Sequence, residues 1–365
     1  MKVLFTIVPE SVAGGVYITE KAFLDDLAAH PTITIETLRY GKRRDGESLV
    51  GKVLERFVDL WVFRAKLRSF RPDVVHLNSA LDAKAVIRDV PFTYLIAHSG
   101  ARLFLKWHGT DVRLVRSRSF YWRMMLSFVI SRATKIGVLS SEECRNLDQA
   151  GYDIRKMAVV KNCLPHRPPP PTVSSGSRER TRLLFVGRIM RSKGIFEVLE
   201  VVRRLVYSNT MVDLICVGSG IDFEECQRFV ESHALGASVR MTGQVTELEA
   251  WEYYSSSDIL VFPTYHDEGF PMTLLNSLAA GLAIVTTRIR AAADHLQEPD
   301  NCVWVRPQDP GDVEEKVRFL LANPVVRRSM GAKNRMLASM FTPEAVVREL
   351  LPLYGETRHW KDGTQ

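Results

Sequence analysis

At 365 residues, 46% hydrophobic and 25% charged, the chain has the length for about two ordinary domains and the composition of a globular protein. It has no run of ~18 apolar residues, so no segment is expected to span a bilayer as a helix. Five scattered cysteines without a C-x-x-C argue against a disulfide frame or a zinc knuckle and for reduced thiols in a cytosolic protein. The formal net charge of +7 is concentrated in residues 1–170, which points that half toward an anionic partner, a membrane surface or an acidic acceptor, although basic surfaces also serve solubility.

The opening MKVLFTIVP has too short an apolar core for a signal peptide and reads as a first strand. Apolar, β-rich runs follow at 34–38, 73–78, 103–109, 135–140 and 157–160, with helical patterns between most of them. Residues 166–171, HRPPPP, and the polar stretch after them form the only linker-like segment and place a domain boundary near 172. Beyond it the rhythm repeats, with strands expected at 182–188, 213–220, 239–243, 258–263, 283–287 and 301–307. Strands alternating with helices predict α/β domains with parallel sheets, twice over, and two such domains imply a cleft between them. A last helix is expected from Thr342, a capping residue ahead of Pro343.

Candidate functional residues sit where strands end. Gly14 and Gly15 follow the first strand, where adjacent glycines allow positive φ and close approach of backbone to a ligand, though Gly-rich turns are common there. His108, in WHGTD, ends the fourth strand of the first half; a lone His is more often packed than catalytic, but a strand's carboxyl end favours a cleft. Residues 112–141 contain no acid and mix six basic residues with Phe120, Tyr121, Trp122, Met124 and Met125. That reads either as a helix resting on an anionic membrane or as a buried helix with a solvated basic flank. In VGRIMRSKG, Arg188 and Lys193 stand five residues apart at a helix entrance and can place two cations on a diphosphate. Val217-Gly218-Ser219-Gly220 lacks the last Gly of a dinucleotide fingerprint, which disfavours hydride transfer. Nucleic-acid binding has no recognition motif to support it.

The stretch 258–287 carries most of the argument. A buried strand, DILVFPT, gives way to the polar loop YHDEGFP, then to a helix stopped by Gly281 and a further strand. The amides of Gly269, Phe270, Pro271, Met272 and Thr273 lie at or before that helix N-terminus, proline supplying no N–H, and such a terminus favours an anion. Beside it, the Glu268 carboxylate would be repelled by a bare anion and suits sugar hydroxyls instead. Phosphate on amides and polyol on the acid point to a nucleotide sugar.

Here the sequence resembles the family 4 retaining glycosyltransferases, whose signature opens E-G-F-G/P and places a second Glu eight residues later. Glu268-Gly269-Phe270-Pro271 fits; the second position is Asn276. The resemblance implies the GT-B fold, two facing Rossmann-like domains with an interdomain cleft, divided here as an acceptor domain, 1–171, a nucleotide-sugar domain, 172–345, and a terminal helix, 346–365, that returns to the first domain in such proteins. It implies that Gly14 and Gly15 lie near the donor diphosphate, that His108 lies beside the transferred sugar, and that Gln244 approaches the base. It further implies that Arg188 and Lys193 neutralise the departing nucleoside diphosphate. The expected activity is retaining transfer of a hexose or N-acetylhexosamine from a nucleoside-diphosphate sugar, UDP-sugar first, to a glycan acceptor, with a lipid-linked one expected. No cofactor and no metal are expected, since the two cations supply the charge neutralisation. A GT-B epimerase and a noncatalytic nucleotide-sugar-binding module are the alternatives. Asn has one acceptor oxygen where Glu has two, so Asn276 suggests weaker ribose binding or tolerance of a deoxyribose nucleotide.

Overall fold

A computed structural model describes residues 1–9, 14–40, 49–165, 179–267 and 269–355, with backbone alone for 49–54. The expected boundary at 171/172 and Glu268 lie outside the described residues. The chain forms two compact units, one of Met1–His166, Asp267–Phe270 and Phe341–Gln365, the other of Arg167–His266 and Pro271–Met340.

The first unit contains β1 (Lys2–Ile7), α1 (Gly15–Ala28), β2 (Thr34–Arg39), α2 (Leu49–Phe70), β3 (Val74–Leu81), α3 (Ala83–Ala97), β4 (Arg102–Thr110), α4 (Val112–Val115), α5 (Phe120–Arg132), β5 (Lys135–Val138), α6 (Ser141–Gln149) and β6 (Met157–Val159). The second contains β7 (Thr181–Val186), α7 (Ile195–Tyr207), β8 (Val212–Val217), α8 (Phe223–Ser232), β9 (Val239–Gly243), α9 (Glu247–Ser255), β10 (Ile259–Phe262), α10 (Met272–Ala280), β11 (Ala283–Thr287), α11 (Arg290–His295), β12 (Val303–Val305), α12 (Pro310–Ala322) and α13 (Pro324–Ala338). α14 (Pro343–Leu350) belongs again to the first.

Each unit is built on one six-stranded parallel sheet, ordered β2-β1-β3-β4-β5-β6 and β12-β11-β10-β7-β8-β9. The order reverses between β1 and β3 in one sheet and between β7 and β10 in the other, and the carboxyl ends of strands at such a reversal open a crevice for ligands. The strands read as continuous apolar runs because helices cover both faces. In the first unit one core joins Phe63 and Leu67 of α2, Phe92 and Ile96 of α3, and Leu126 and Ile130 of α5 to the sheet. A second core joins Phe23 and Leu27 of α1 to Val346, Val347 and Leu350 of α14 and to Tyr354. Right-handed crossovers therefore set α2, α3 and α5 side by side in one layer, running the same way.

Local chemistry fixes the helix ends. Ser140 with Glu143 and Thr246 with Glu249 form reciprocal capping boxes on α6 and α9, Thr342 caps α14 through the Ala345 N–H, and Gly281 ends α10 at φ 74°. No helix of the described residues is long and apolar enough to cross a membrane.

Candidate active site

In the second unit the loop after β7 and the loop after β10 meet at the strand-order reversal. Tyr265 N–H donates to the Ser192 carbonyl at 2.8 Å, and the Thr264 hydroxyl donates to the same oxygen at 3.3 Å. The Arg188 guanidinium donates to His266 Nε2 at 3.1 Å, which makes that nitrogen an acceptor and leaves Nδ1–H for the Ser192 hydroxyl at 3.0 Å. His266 thus holds an exposed arginine in one direction. Lys193 is 5% exposed, in the turn that Gly194 ends at φ 82°, with its ammonium 5.6 Å from the Phe262 ring centre. Arg191 is paired instead with Glu225. α10 starts in the same place: Pro271 supplies no side-chain cap, and the Thr273 hydroxyl donates to Val186 at the end of β7 at 3.0 Å. Two cations and an uncapped helix N-terminus therefore share one strand-end region, the arrangement that attracts a diphosphate.

The glycines of Val217-Gly218-Ser219-Gly220 have a packing role. A Cβ on Gly218 would stand 2.0 Å from the Gly187 carbonyl oxygen, and one on Gly220 would stand 2.3 Å from that of Ile189. Gly187 and Ile189 donate to Val217 and Ser219 at 3.0 Å each. These glycines seat the Arg188 loop against its neighbour, and Gly243, which accepts from Gly218 at 2.9 Å, extends the seam toward exposed Gln244.

In the first unit His108, at the end of β4, tops a buried polar network. Asn78 Nδ2 donates to the Thr6 carbonyl at 2.8 Å, which turns its Oδ1 toward two imidazoles: His108 Nε2–H at 2.9 Å and His76 Nε2–H at 3.2 Å. Tyr354 donates to His76 Nδ1 at 2.5 Å. Below them Lys106 and Glu20, both buried, pair at 2.6 Å, and Glu20 Oε1 lies 3.6 Å from His108. Burial, and then the Lys106 charge, push the His108 pKa well below its usual value, so its imidazole is neutral. Its Nδ1 is left as a buried lone pair with no partner among the described residues, an acceptor waiting for a hydroxyl.

This network makes stability depend on pH. Burial is the main cause that lowers the His76 pKa from 6.5 to about 3, so below 6.5 the unfolded chain takes up a proton that the folded one refuses. The stabilisation is complete above 6.5 and is lost as pH falls toward 3, at about 1.4 kcal/mol per pH unit. Urea midpoints measured across that range should fall with acidification, and His76→Gln should flatten the slope. An unchanged slope would remove His76 from the account.

The structure brings Arg188, Lys193, Met272 and Thr273 together in the second unit and leaves Gln244 along the β9 edge of that sheet. Asn276 and Thr273, both on α10, lie beside the buried Tyr254 phenol. Gly269 and Phe270 fall in the first unit. There the Phe270 ring lies 5.5 Å from that of Phe341 and its carbonyl accepts from Asn162 at 3.3 Å, so the Phe270 side chain is a packing group. One expectation needs correction: Gly14 has φ −156°, extended backbone open to any residue, and Gly15 begins α1, so neither takes the positive φ of a phosphate loop. A Cβ on Gly14 would meet nothing within 4 Å. The sequence reading missed His266, Asn78, Glu20 and Lys106; only His266, beside Glu268 in the polar loop, carried any local signal. Among the described residues no cluster of three His, Cys, Asp or Glu side chains is arranged to hold a metal ion.

A family model described as Glycosyl transferases group 1 matches residues 174–336, and one described as Glycosyl transferase 4-like domain matches residues 35–163. Glycogen synthase of Mycobacterium tuberculosis is 25% identical over 296 residues, covering 79% of this chain and 69% of its own. Sucrose-phosphate synthase from Thermosynechococcus elongatus superposes with a TM-score of 0.78 at 18% identity, over 97% of this chain and 98% of the other. Anabaena HepE, solved with UDP and glucose, superposes with a TM-score of 0.71 at 12% identity, over 98% and 100%. The two parallel-sheet units and these likenesses define an α/β glycosyltransferase of the GT-B fold. The chain belongs to the family 4, group 1 glycosyltransferases.

Proposed function

We propose that the protein transfers a hexose or N-acetylhexosamine from a nucleoside-diphosphate sugar to a glycan acceptor, with retention of anomeric configuration and without a metal ion. The reading is carried by the grouping of Arg188, buried Lys193 and the uncapped α10 N-terminus where β7 and β10 end. In this role Arg188 and Lys193 stabilise the charge that grows on the departing diphosphate. The amides of Met272 and Thr273 hold its oxygens, Glu268 binds the sugar hydroxyls, and the neutral His108 accepts a further hydroxyl at Nδ1. The leaving diphosphate oxygen takes the acceptor's proton on the same face of the sugar, so the C–O bond to the diphosphate breaks as the bond to the acceptor oxygen forms there. Gly14, with open space around it, and Gly15 lie near the donor diphosphate, Gln244 approaches the base, and a lipid-linked glycan suits the basic first unit. UDP is the first choice of nucleotide, in keeping with the UDP bound by Anabaena HepE.

Asn276 sets the nucleotide preference in this reading, because it offers the ribose one acceptor oxygen where a glutamate would offer two. Release of nucleoside diphosphate should be followed over a grid of UDP-, dTDP-, GDP- and ADP-sugars. The wild type should turn over UDP-sugar and accept dTDP-sugar, and Asn276→Glu should raise the UDP preference about tenfold, the worth of a hydrogen bond to a charged acceptor. Strict UDP use that Asn276→Glu leaves unchanged would remove Asn276 from this role. No release from any nucleotide sugar would overturn the transferase reading.

A further inference from the structure

Three helices of the first unit leave an apolar strip uncovered on the side away from their sheet. At helical spacing α2 presents Phe57, Trp61, Arg64 and Arg68, α3 presents Ile87, Pro91 and Tyr94 with His98 at its C-cap, and α5 presents Tyr121, Met124, Phe128 and Arg132. Trp61 is 72% exposed, Tyr121 71% and Phe57 67%, far more apolar surface in one place than a free helix layer ordinarily shows to water. Between the helices lies a cavity of about 630 Å³ walled by Leu60, Trp61, Val90, Tyr94, Met124 and Phe128. Arg64 is the charged group among its lining residues, and no acid is among them.

The charges around the strip are one-sided. α5 carries no acid. On α3 the single acid, Asp89, is buried and bonded to Tyr40 and Ser79; among the described side chains of α2, Asp59 is bonded to Arg56 at 3.1 Å and Glu55 is the other acid. Arg64 and Arg68 are exposed and pair with no carboxylate among the described residues, and the Arg132 guanidinium lies 5.7 Å over the Phe128 ring. Arg68 and Arg132 end their helices and complement the helix dipole; Arg64, in mid-helix on the cavity wall, has no such reason to be there.

We propose that this face docks on an anionic lipid bilayer. The cavity receives one hydrocarbon chain, the Trp61, Tyr94 and Tyr121 rings lie at headgroup depth, and Arg64, Arg68 and Arg132 meet the phosphates. A protein helix would fill the apolar strip equally well, but it would have to bring its own acids; a bilayer of phosphate-bearing lipids supplies them everywhere.

The test is co-sedimentation of the full chain with phosphatidylcholine vesicles, plain or containing about a third phosphatidylglycerol. Binding needs no sugar donor, so the result is independent of transferase activity. The wild type should bind the anionic vesicles at least about tenfold more tightly than the plain ones and lose binding as salt rises. Arg64→Gln and Arg132→Gln should each weaken binding about fivefold, and Trp61→Ser about tenfold. All three changes fall on the outward strip, and circular dichroism checks that the fold is kept. Equal binding to both vesicles, no binding, or variants that bind like the wild type would overturn the proposal. So would a dimer in sedimentation equilibrium that Trp61→Ser dissolves, since the strip would then belong to a second copy of the chain.

Discussion

Lys193→Ala should lower kcat for sugar transfer by about 10²- to 10³-fold, the usual effect of removing one preorganised donor from a site of developing charge. Lys193 is 5% exposed, so the field of its ammonium is little screened by water and acts most strongly on the oxygen that gains charge as the glycosidic bond breaks. Its loss should therefore appear in kcat more than in the KM for the donor. Arg188→Ala should cost a similar factor, and Arg188→Lys should rescue little of it, because an ammonium cannot both donate to His266 and present a planar fork to the phosphate. His266→Ala should cost about tenfold by releasing Arg188 from its 3.1 Å contact. Steady-state kinetics with folded variants decide the matter, and a wild-type kcat in Lys193→Ala and Arg188→Ala would remove both cations from catalysis.

The second large effect concerns the imidazole in the first unit. His108→Ala should lower kcat/KM about 10- to 100-fold, the value of one hydrogen bond lost in a dry site. A structural role for His108 would give a loss as well, so the distinguishing experiment is the pH profile of Asn78→Asp. In the wild type the His108 pKa is held well below the ordinary range by burial and Lys106, and no activity limb from this group should appear near neutrality. A carboxylate at position 78 would sit against His108 Nε2, now 2.9 Å from the amide oxygen, and would raise the imidazole pKa. As pH falls through that raised value Nδ1 gains a proton and can no longer accept a sugar hydroxyl. Asn78→Asp should thus gain an acidic limb, with activity recovering at higher pH. A uniform loss at every pH would assign Asn78 a structural role alone.

The fold was legible because the central strands are short apolar runs bounded by polar turns, and parallel strands buried on both faces leave that mark in any sequence. Lys193 and Arg188 were legible for a related reason: they follow the β7 run directly, and a strand end is where a parallel sheet opens to ligands. The supports of the site were not legible. Glu20 meets Lys106 across 86 positions, Arg188 meets His266 across 78, and His76 meets Tyr354 across 278; only strand order and register bring them together. Gly14 shows the opposite failure. Its neighbour Gly15 suggested a turn with positive φ, but the chain enters α1 there from an extended residue. Gly218 and Gly220 stand in an incomplete dinucleotide fingerprint, and the demand on them is steric, from the carbonyls of Gly187 and Ile189.

The most direct test is a crystal of the protein soaked with UDP. The diphosphate should lie within about 3 Å of both the Arg188 guanidinium and the Lys193 ammonium, with an oxygen facing the amides that open α10. Density for the nucleotide elsewhere, with Arg188 still on His266 and Lys193 touching no phosphate, would contradict the assignment.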